Sequence, residues 1–186
     1  MIHKILTTTC GSEIHIYQNL FTISQCDFFA DFAINSKYQV GRFSSSASKL
    51  KPGNFFSCAF SDDDDERFGL TSTPQVKEII GNVSKRLSWI NATITGSWYF
   101  THSDIHDNGS SDKEYLTLLY NINRFWDTEH GGETLFYNKH GEKELAVDFI
   151  PGQLIVFDSR LAHKPALSDG NTDPRFIFVS IFDKLK

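Results

Sequence analysis

The chain has 186 residues, 40% of them apolar and 22% charged, with a net charge of −5. That is one ordinary domain with enough apolar surface to build a core unaided. A net negative chain lacks the broad cationic face that nucleic acid demands, so no nucleic-acid partner is expected.

The opening MIHKILTTTCGSE holds no apolar core of a signal peptide, and no apolar run is long enough to span a bilayer. The cysteines, Cys10, Cys26 and Cys58, are odd in number and never at C-x-x-C spacing. That argues against a zinc ribbon or a disulfide framework and suits reduced thiols in a cytoplasmic protein. Residues 13–18 read as a short strand. SQCDFFADFAI reads as a helix with Ser24 as N-cap and Phe28, Phe29, Phe32 and Ala33 on one face. SDDDDERFG, residues 61–69, lacks the ligand spacing, the central Gly and the final Glu of a calcium loop, and reads as a solvated loop. TPQVKEIIGNVSKRLSWI reads as a second helix, with Thr73 as N-cap and Pro74 in the first turn. Its stripe of Val76, Ile79, Ile80, Val83, Leu87 and Ile90 is suited to packing on a sheet.

From about Ile94 the pattern changes. ITGSWYFTH, EYLTLLYNI, ETLFYN, KELAVDFI, QLIVFD and FIFVSIF alternate with turn-forming stretches such as HGGE, NKHGEK, PG and SDGNTDP. Short strands at regular spacing, in a chain with 17 phenylalanines, imply a sandwich or barrel. The expected fold is mainly β (α+β): a double-stranded β-helix, or jelly roll, over residues 94–183, with the helices of residues 1–93 packed outside it. Residues 1–186 form a single domain in this reading.

The stretch THSDIHDNG, residues 101–109, concentrates metal-binding side chains. If WYFTHSD is a strand, His102 and Asp104 project from one face. An imidazole and a carboxylate at that spacing are two legs of a 2-His-1-carboxylate triad, the set that favours non-haem Fe(II) and leaves coordination positions open. A third leg must come from a strand across the barrel. His163 meets that condition: four strand-like runs intervene, and it follows QLIVFD at a strand end. Arg175 opens the last strand, where it shares an inward face with Ile177, Val179 and Ile181. A buried guanidinium needs a carboxylate, best met in a bidentate pair.

Together, HSD, YLTLLYNINRFWDTEHGGETLFY, FDSRLAH and RFIFVSIF resemble the Fe(II)/2-oxoglutarate-dependent dioxygenases, in particular the prolyl-4-hydroxylase-like branch with its short phage and bacterial members. The resemblance covers about residues 94–183. It implies that His102, Asp104 and His163 bind Fe(II) and that Arg175 holds the distal carboxylate of 2-oxoglutarate. It also implies that O2 and 2-oxoglutarate are consumed, yielding succinate and CO2, while an unactivated C–H bond is hydroxylated; ascorbate enters as an optional addition. The substrate it suggests is a peptidyl proline or another protein side chain, or else a small molecule. There are departures. Where relatives often carry a cosubstrate-touching Tyr, this chain has Asn121 with Tyr120 beside it, and one of the two is expected to make that contact. A Thr and a Trp that often follow the basic residue are here Val179 and Ile181, which makes the cosubstrate pocket more apolar. The second Arg of the nucleic-acid repair branch is also replaced, by Ile181.

Other readings of single residues are plainer. His106 shares the parity of His102 and Asp104 and offers an alternative Asp104/His106 pair or a substrate contact. Asp107 reads as a turn residue. His140-Gly-Glu142 falls in a hairpin turn, and His3, His15 and His130 lack a ligand pattern. Gly132 is read as leaving room above the metal. Arg160 is the second candidate for the carboxylate contact, or else a substrate contact, and Trp126 is core or rim. Loops 38–70 and 105–114 are where substrate choice is expected to lie; within the first, Phe43, Phe55, Phe56 and Phe60 are read as core. The competing function is a non-catalytic or cupin-like jelly-roll metal-binding module that does not use 2-oxoglutarate.

Overall fold

The computed structural model describes residues 1–40, 55–97, 99–105, 113–169 and 173–185. The first part of the chain runs β1 (Ile2–Thr7), β2 (Glu13–Gln18), α1 (Ile23–Asn35), β3 (Gln39–Val40), β4 (Phe55–Ala59), α2 (Asp62–Phe68), α3 (Pro74–Ile80) and β5 (Val83–Thr93). Then follow β6 (Tyr115–Asn121), β7 (Thr134–Tyr137), β8 (Lys143–Val147), β9 (Leu154–Asp158), β10 (His163–Pro165) and β11 (Arg175–Lys184). The strands form an antiparallel sheet in the order β1-β2-β9-β6-β11-β5-β4-β3 and a second in the order β10-β7-β8. This is the expected jelly roll, with the helices on the outer face of the larger sheet.

That larger sheet is buried on both faces, and the two-residue period of a strand decides which side chain goes where. On β11, Ile177 and Val179 point between the sheets, among Leu119, Phe136, Phe149 and Phe157. Phe178 and Phe182 point the other way, among Phe29, Phe68, Val76 and Tyr120 beneath the helices. Full burial of each such phenylalanine contributes about 1.5–3 kcal/mol.

Several local expectations are corrected. Helix α1 is capped by Thr22, not Ser24: the Thr22 side chain accepts from Gln25 N, and the Gln25 side chain accepts from Thr22 N. Its buried face is Phe29, Ala30 and Ala33, while Phe28 is half exposed. The aspartate run is helix α2 rather than a loop. Ser61 and Asp64 form a reciprocal capping box, and the first-turn carboxylates lie at the positive end of the helix. Asp65 is buried and pairs with Lys85 of β5.

The helix expected to reach Ile90 stops at Ile80, where Gly81 adopts φ 70. Beyond it Val83, Leu87 and Ile90 belong to β5, which pairs along its length with β11 and in its second half with β4. Paired backbone on two sides outweighs a helical spacing that serves no helix. Residues 1–93 thus supply β1 to β5 of the larger sheet as well as the helices. The described residues of ITGSWYFTH, conversely, form no strand: His102 makes only an isolated bridge. Among the described residues no helix is long and apolar enough to cross a membrane.

Candidate active site

His102 and His163 face one another across a two-residue antiparallel bridge, with His102 N donating to His163 O at 3.0 Å and His163 N donating to His102 O at 2.8 Å. This places the two rings side by side, 4.6 Å between centroids. Each ring is oriented by its own Nδ1: His102 Nδ1 lies 3.0 Å from Phe100 O and His163 Nδ1 lies 2.9 Å from Leu161 O. A carbonyl only accepts, so each Nδ1 carries a proton, and a ring that is neutral presents the Nε2 lone pair. Burial also holds the His163 imidazolium pKa below its ordinary value, opposed by the nearby Asp104, and so favours the neutral ring.

The Asp104 carboxylate is almost fully buried. Its Oδ1 lies 3.7 Å from His102 Nε2 and its Oδ2 3.7 Å from His163 Nε2. Nitrogen and oxygen donors of the three residues all lie within 4.8 Å of one another. Two neutral imidazoles and one carboxylate, converging without hydrogen-bonding one another, make a donor set suited to a divalent metal of the Fe(II) type.

The same cleft is lined by Trp89, Thr93, Tyr99, Leu119 and Val179, and ends at Arg175. Arg175 is 3% exposed, and its Nε and Nη2 have no hydrogen-bond partner. It forms no ion pair among the described residues. Its guanidinium instead lies 4.6 Å from the centre of the Phe149 ring. Burial lowers its pKa to about 10, with Tyr99 and Glu133 acting in the opposite direction, so it remains a cation at neutral pH. A buried cation with unused donors is costly unless an anion completes it. A carboxylate entering this cleft would do so.

Gly132 makes room here, but for Arg175 rather than for the metal. It has φ +86, and a Cβ on it would lie 3.1 Å from Arg175 Cδ and 3.2 Å from Trp126 Cζ2. Tyr99, which no motif in the sequence singles out, donates its hydroxyl to Thr93 Oγ1 at 3.0 Å, and burial raises its pKa to about 12.

Of the residues expected at the site, His102, Asp104, His163 and Arg175 come together. Tyr120 does not. It projects to the helix side of the sheet, fully buried, with its hydroxyl 3.5 Å from Cys26 Sγ. Asn121 shares the inward parity of Leu119 but lies at the end of β6 and does not line the cleft: its Nδ2 donates to Ile150 O at 3.1 Å and lies 3.4 Å from Gln153 Oε1. Leu119 is the β6 residue that reaches the cleft. Arg160 folds back on Asp158, two residues before it, through Nε at 3.0 Å and Nη2 at 2.6 Å, which removes it as the carboxylate contact. His140 and Glu142 lie in the β7–β8 turn, where both backbone amides donate to Asn138 Oδ1. His130 contacts Asp169 O, and His3 stacks between His15 and Tyr17 on the outer surface. Phe60 is partly buried against the helix-side core, as expected. His106, Asp107 and Phe43 lie outside the described residues.

Comparison with known proteins agrees with this geometry. No curated protein matches the sequence. Among solved structures the chain is similar to a prolyl-4-hydroxylase from Pseudomonas putida, with a TM-score of 0.67 at 12% identity over 92% of each chain. It is similar also to a Trichoplax adhaerens prolyl hydroxylase in complex with a hypoxia-inducible-factor peptide fragment, with a TM-score of 0.70 at 17% identity over 91% of this chain and 82% of that one. A third is HygX from Streptomyces hygroscopicus with nickel and 2-oxoglutarate bound, at 0.67 and 9% over 92% and 82%. Those likenesses show the fold. The family model described as the 2OG-Fe(II) oxygenase superfamily matches residues 88–182, from the middle of β5 almost to the end of β11, and on that match the chain belongs to the 2OG-Fe(II) oxygenase superfamily, enzymes that work with Fe(II) and 2-oxoglutarate.

Proposed function

We propose that this enzyme hydroxylates an aliphatic C–H bond of a protein substrate, a peptidyl proline first among the candidates, using Fe(II) held by His102, Asp104 and His163. Arg175 holds the distal carboxylate of 2-oxoglutarate. The observation that carries the reading is the buried Arg175 guanidinium, its Nε and Nη2 without a hydrogen-bond partner, in the same cleft as two inward-facing Nε2 atoms and a carboxylate. When bound, the metal with O2 supplies the oxidising power that couples conversion of 2-oxoglutarate to succinate and CO2 with hydroxylation of the substrate.

The chain's own residues do the rest. The Phe100 and Leu161 carbonyls fix both Nδ1 protons and so keep both Nε2 lone pairs on the metal side. Arg175 fixes the orientation of the cosubstrate by a charge-assisted contact. Trp89, Leu119, Ile177 and Val179 form an apolar wall that excludes water from the reacting groups. The Trichoplax relative with its bound peptide supports a protein substrate.

The test begins with anaerobic addition of Fe(II) and then 2-oxoglutarate to the apo protein. A visible charge-transfer band is expected, followed by its loss and succinate formation on admitting oxygen. Proline-containing peptides should then gain the mass of one oxygen atom. Absence of the band in the wild-type protein would overturn the site assignment. Hydroxylation of free small molecules but of no peptide would overturn the substrate reading and leave the site intact.

A further inference from the structure

Asp104 is fastened by more than metal binding requires. Its Oδ2 lies 2.7 Å from Thr117 Oγ1, and Thr117 Oγ1 lies 2.9 Å from Ser159 Oγ. Thr117 and Ser159 are both fully buried. Asp104 N and Ile105 N, moreover, both donate to Ser159 O, at 2.9 and 3.2 Å. The single Thr117 proton has two claimants. An ionised carboxylate only accepts and is the stronger acceptor, so the proton lies on the Asp104 Oδ2 side. Thr117 itself is held stiffly. It is β-branched and sits within β6, paired with Phe157 of β9 on one side and Ile181 of β11 on the other. Oδ1 accepts no hydrogen bond among the described residues and faces His102 Nε2.

We infer that Thr117 is a positioning residue: its hydroxyl donates to Oδ2 and stops the Asp104 carboxylate from rotating, which holds Oδ1 toward His102 Nε2 and Oδ2 toward His163 Nε2. The inference rests on the metal assignment proposed above. Its chemical consequence concerns affinity. A carboxylate already held in one orientation would hold the metal without first losing rotational freedom, so loss of the Thr117 hydroxyl would weaken metal binding.

The experiment is an anaerobic calorimetric titration of the full apo chain with Fe(II) alone, comparing wild type, Thr117→Val, Thr117→Ser and Ser159→Ala. The valine variant keeps the shape and loses the hydroxyl; its affinity should fall about tenfold, the size usual for a lost second-layer partner. The serine variant keeps a donor and should bind close to wild type. Melting of the apo proteins provides the control, and the valine and serine variants should melt alike. Equal affinity of wild type and Thr117→Val overturns the inference while leaving the metal site standing. Equal weakening in the valine and serine variants assigns Thr117 a packing role and overturns it too. Failure of the wild type to bind Fe(II) overturns both readings together. Ser159→Ala removes only a competitor for the Thr117 proton and should bind close to wild type; weakening equal to that of the valine variant counts against the inference. Should the valine variant not fold, Thr117→Ala decides by the same titration, with unchanged affinity overturning the inference.

Discussion

Arg175 and Gly132 are coupled through a few tenths of an ångström. If Arg175 holds the cosubstrate as proposed, replacing it by alanine removes a charge-assisted contact to the distal carboxylate, each such hydrogen bond being worth about 1.5–3 kcal/mol. The apparent KM for 2-oxoglutarate should rise about ten- to hundredfold by succinate assay, with Fe(II) affinity unchanged; an unaltered KM would remove Arg175 from the site. Gly132→Ala should reach the same parameter indirectly. An L-residue in the left-handed region costs about 1–2 kcal/mol, and the new Cβ would press on Arg175 Cδ and Trp126. The expected result is a lower melting temperature together with a higher KM for 2-oxoglutarate. Gly81→Ala separates the two effects. Gly81 has φ +70, but nothing lies within 4 Å of the place a methyl group would take on it, so only stability should fall. A KM effect in both variants, or in neither, would contradict this account of Gly132.

Elements show where the sequence can be read and where it cannot. Strands β6 to β9 and β11 are legible because apolar runs alternate with turn residues, and no helix of useful length fits between those turns; β10, three residues with no apolar run, is not, and His163 opens it rather than ending the strand before it. Strand β5 is not, since Val83, Leu87 and Ile90 satisfy a helical period as well as a strand. Its identity comes from β4 and β11, partners remote in sequence. That ambiguity also hides part of the site, because Trp89 and Thr93 reach the cleft from β5. The three candidate ligands are legible through H-x-D and a strand-end histidine, and Arg175 through an inward charge on an apolar face. Tyr120 is misplaced by its position in the motif, whereas strand parity sends it to the helix side. Helix α2 is hidden because a run of aspartates reads as solvated loop unless the Ser61 cap is weighed with it. Ser61→Ala tests that weight. Loss of an N-cap costs about 1 kcal/mol, or about 2–4 °C in melting temperature for a domain of this size. Thermal denaturation should show that loss with Fe(II) affinity unchanged, and an unshifted melting temperature would mean the carboxylates near the helix start hold it without the cap.

At the scale of the whole molecule, the candidate metal site is a fastening between the two sheets. His163 lies on β10 of the smaller sheet, and the His102 backbone is bridged to it. Asp104 hangs from the larger sheet, through Thr117 of β6 and through Ser159 at the end of β9. An ion gripped by all three joins layers that otherwise meet through the apolar core between them. Binding that occurs only in the folded state adds RT ln(1 + [L]/Kd), about 2.7 kcal/mol at a ligand concentration one hundred times Kd. For a chain of this length that corresponds to a rise of about 5–10 °C in melting temperature. Anaerobic melting with Fe(II) should show the rise in wild type and in Arg175→Ala, and lose it in His163→Ala and Asp104→Ala. Added 2-oxoglutarate should raise the melting temperature further in wild type and much less in Arg175→Ala, because in the proposed arrangement the cosubstrate spans from the metal to the start of β11. If His163→Ala and Asp104→Ala kept the full Fe(II) shift, the ion would be bound elsewhere. If Arg175→Ala kept the full cosubstrate shift, the distal carboxylate would be held by another group.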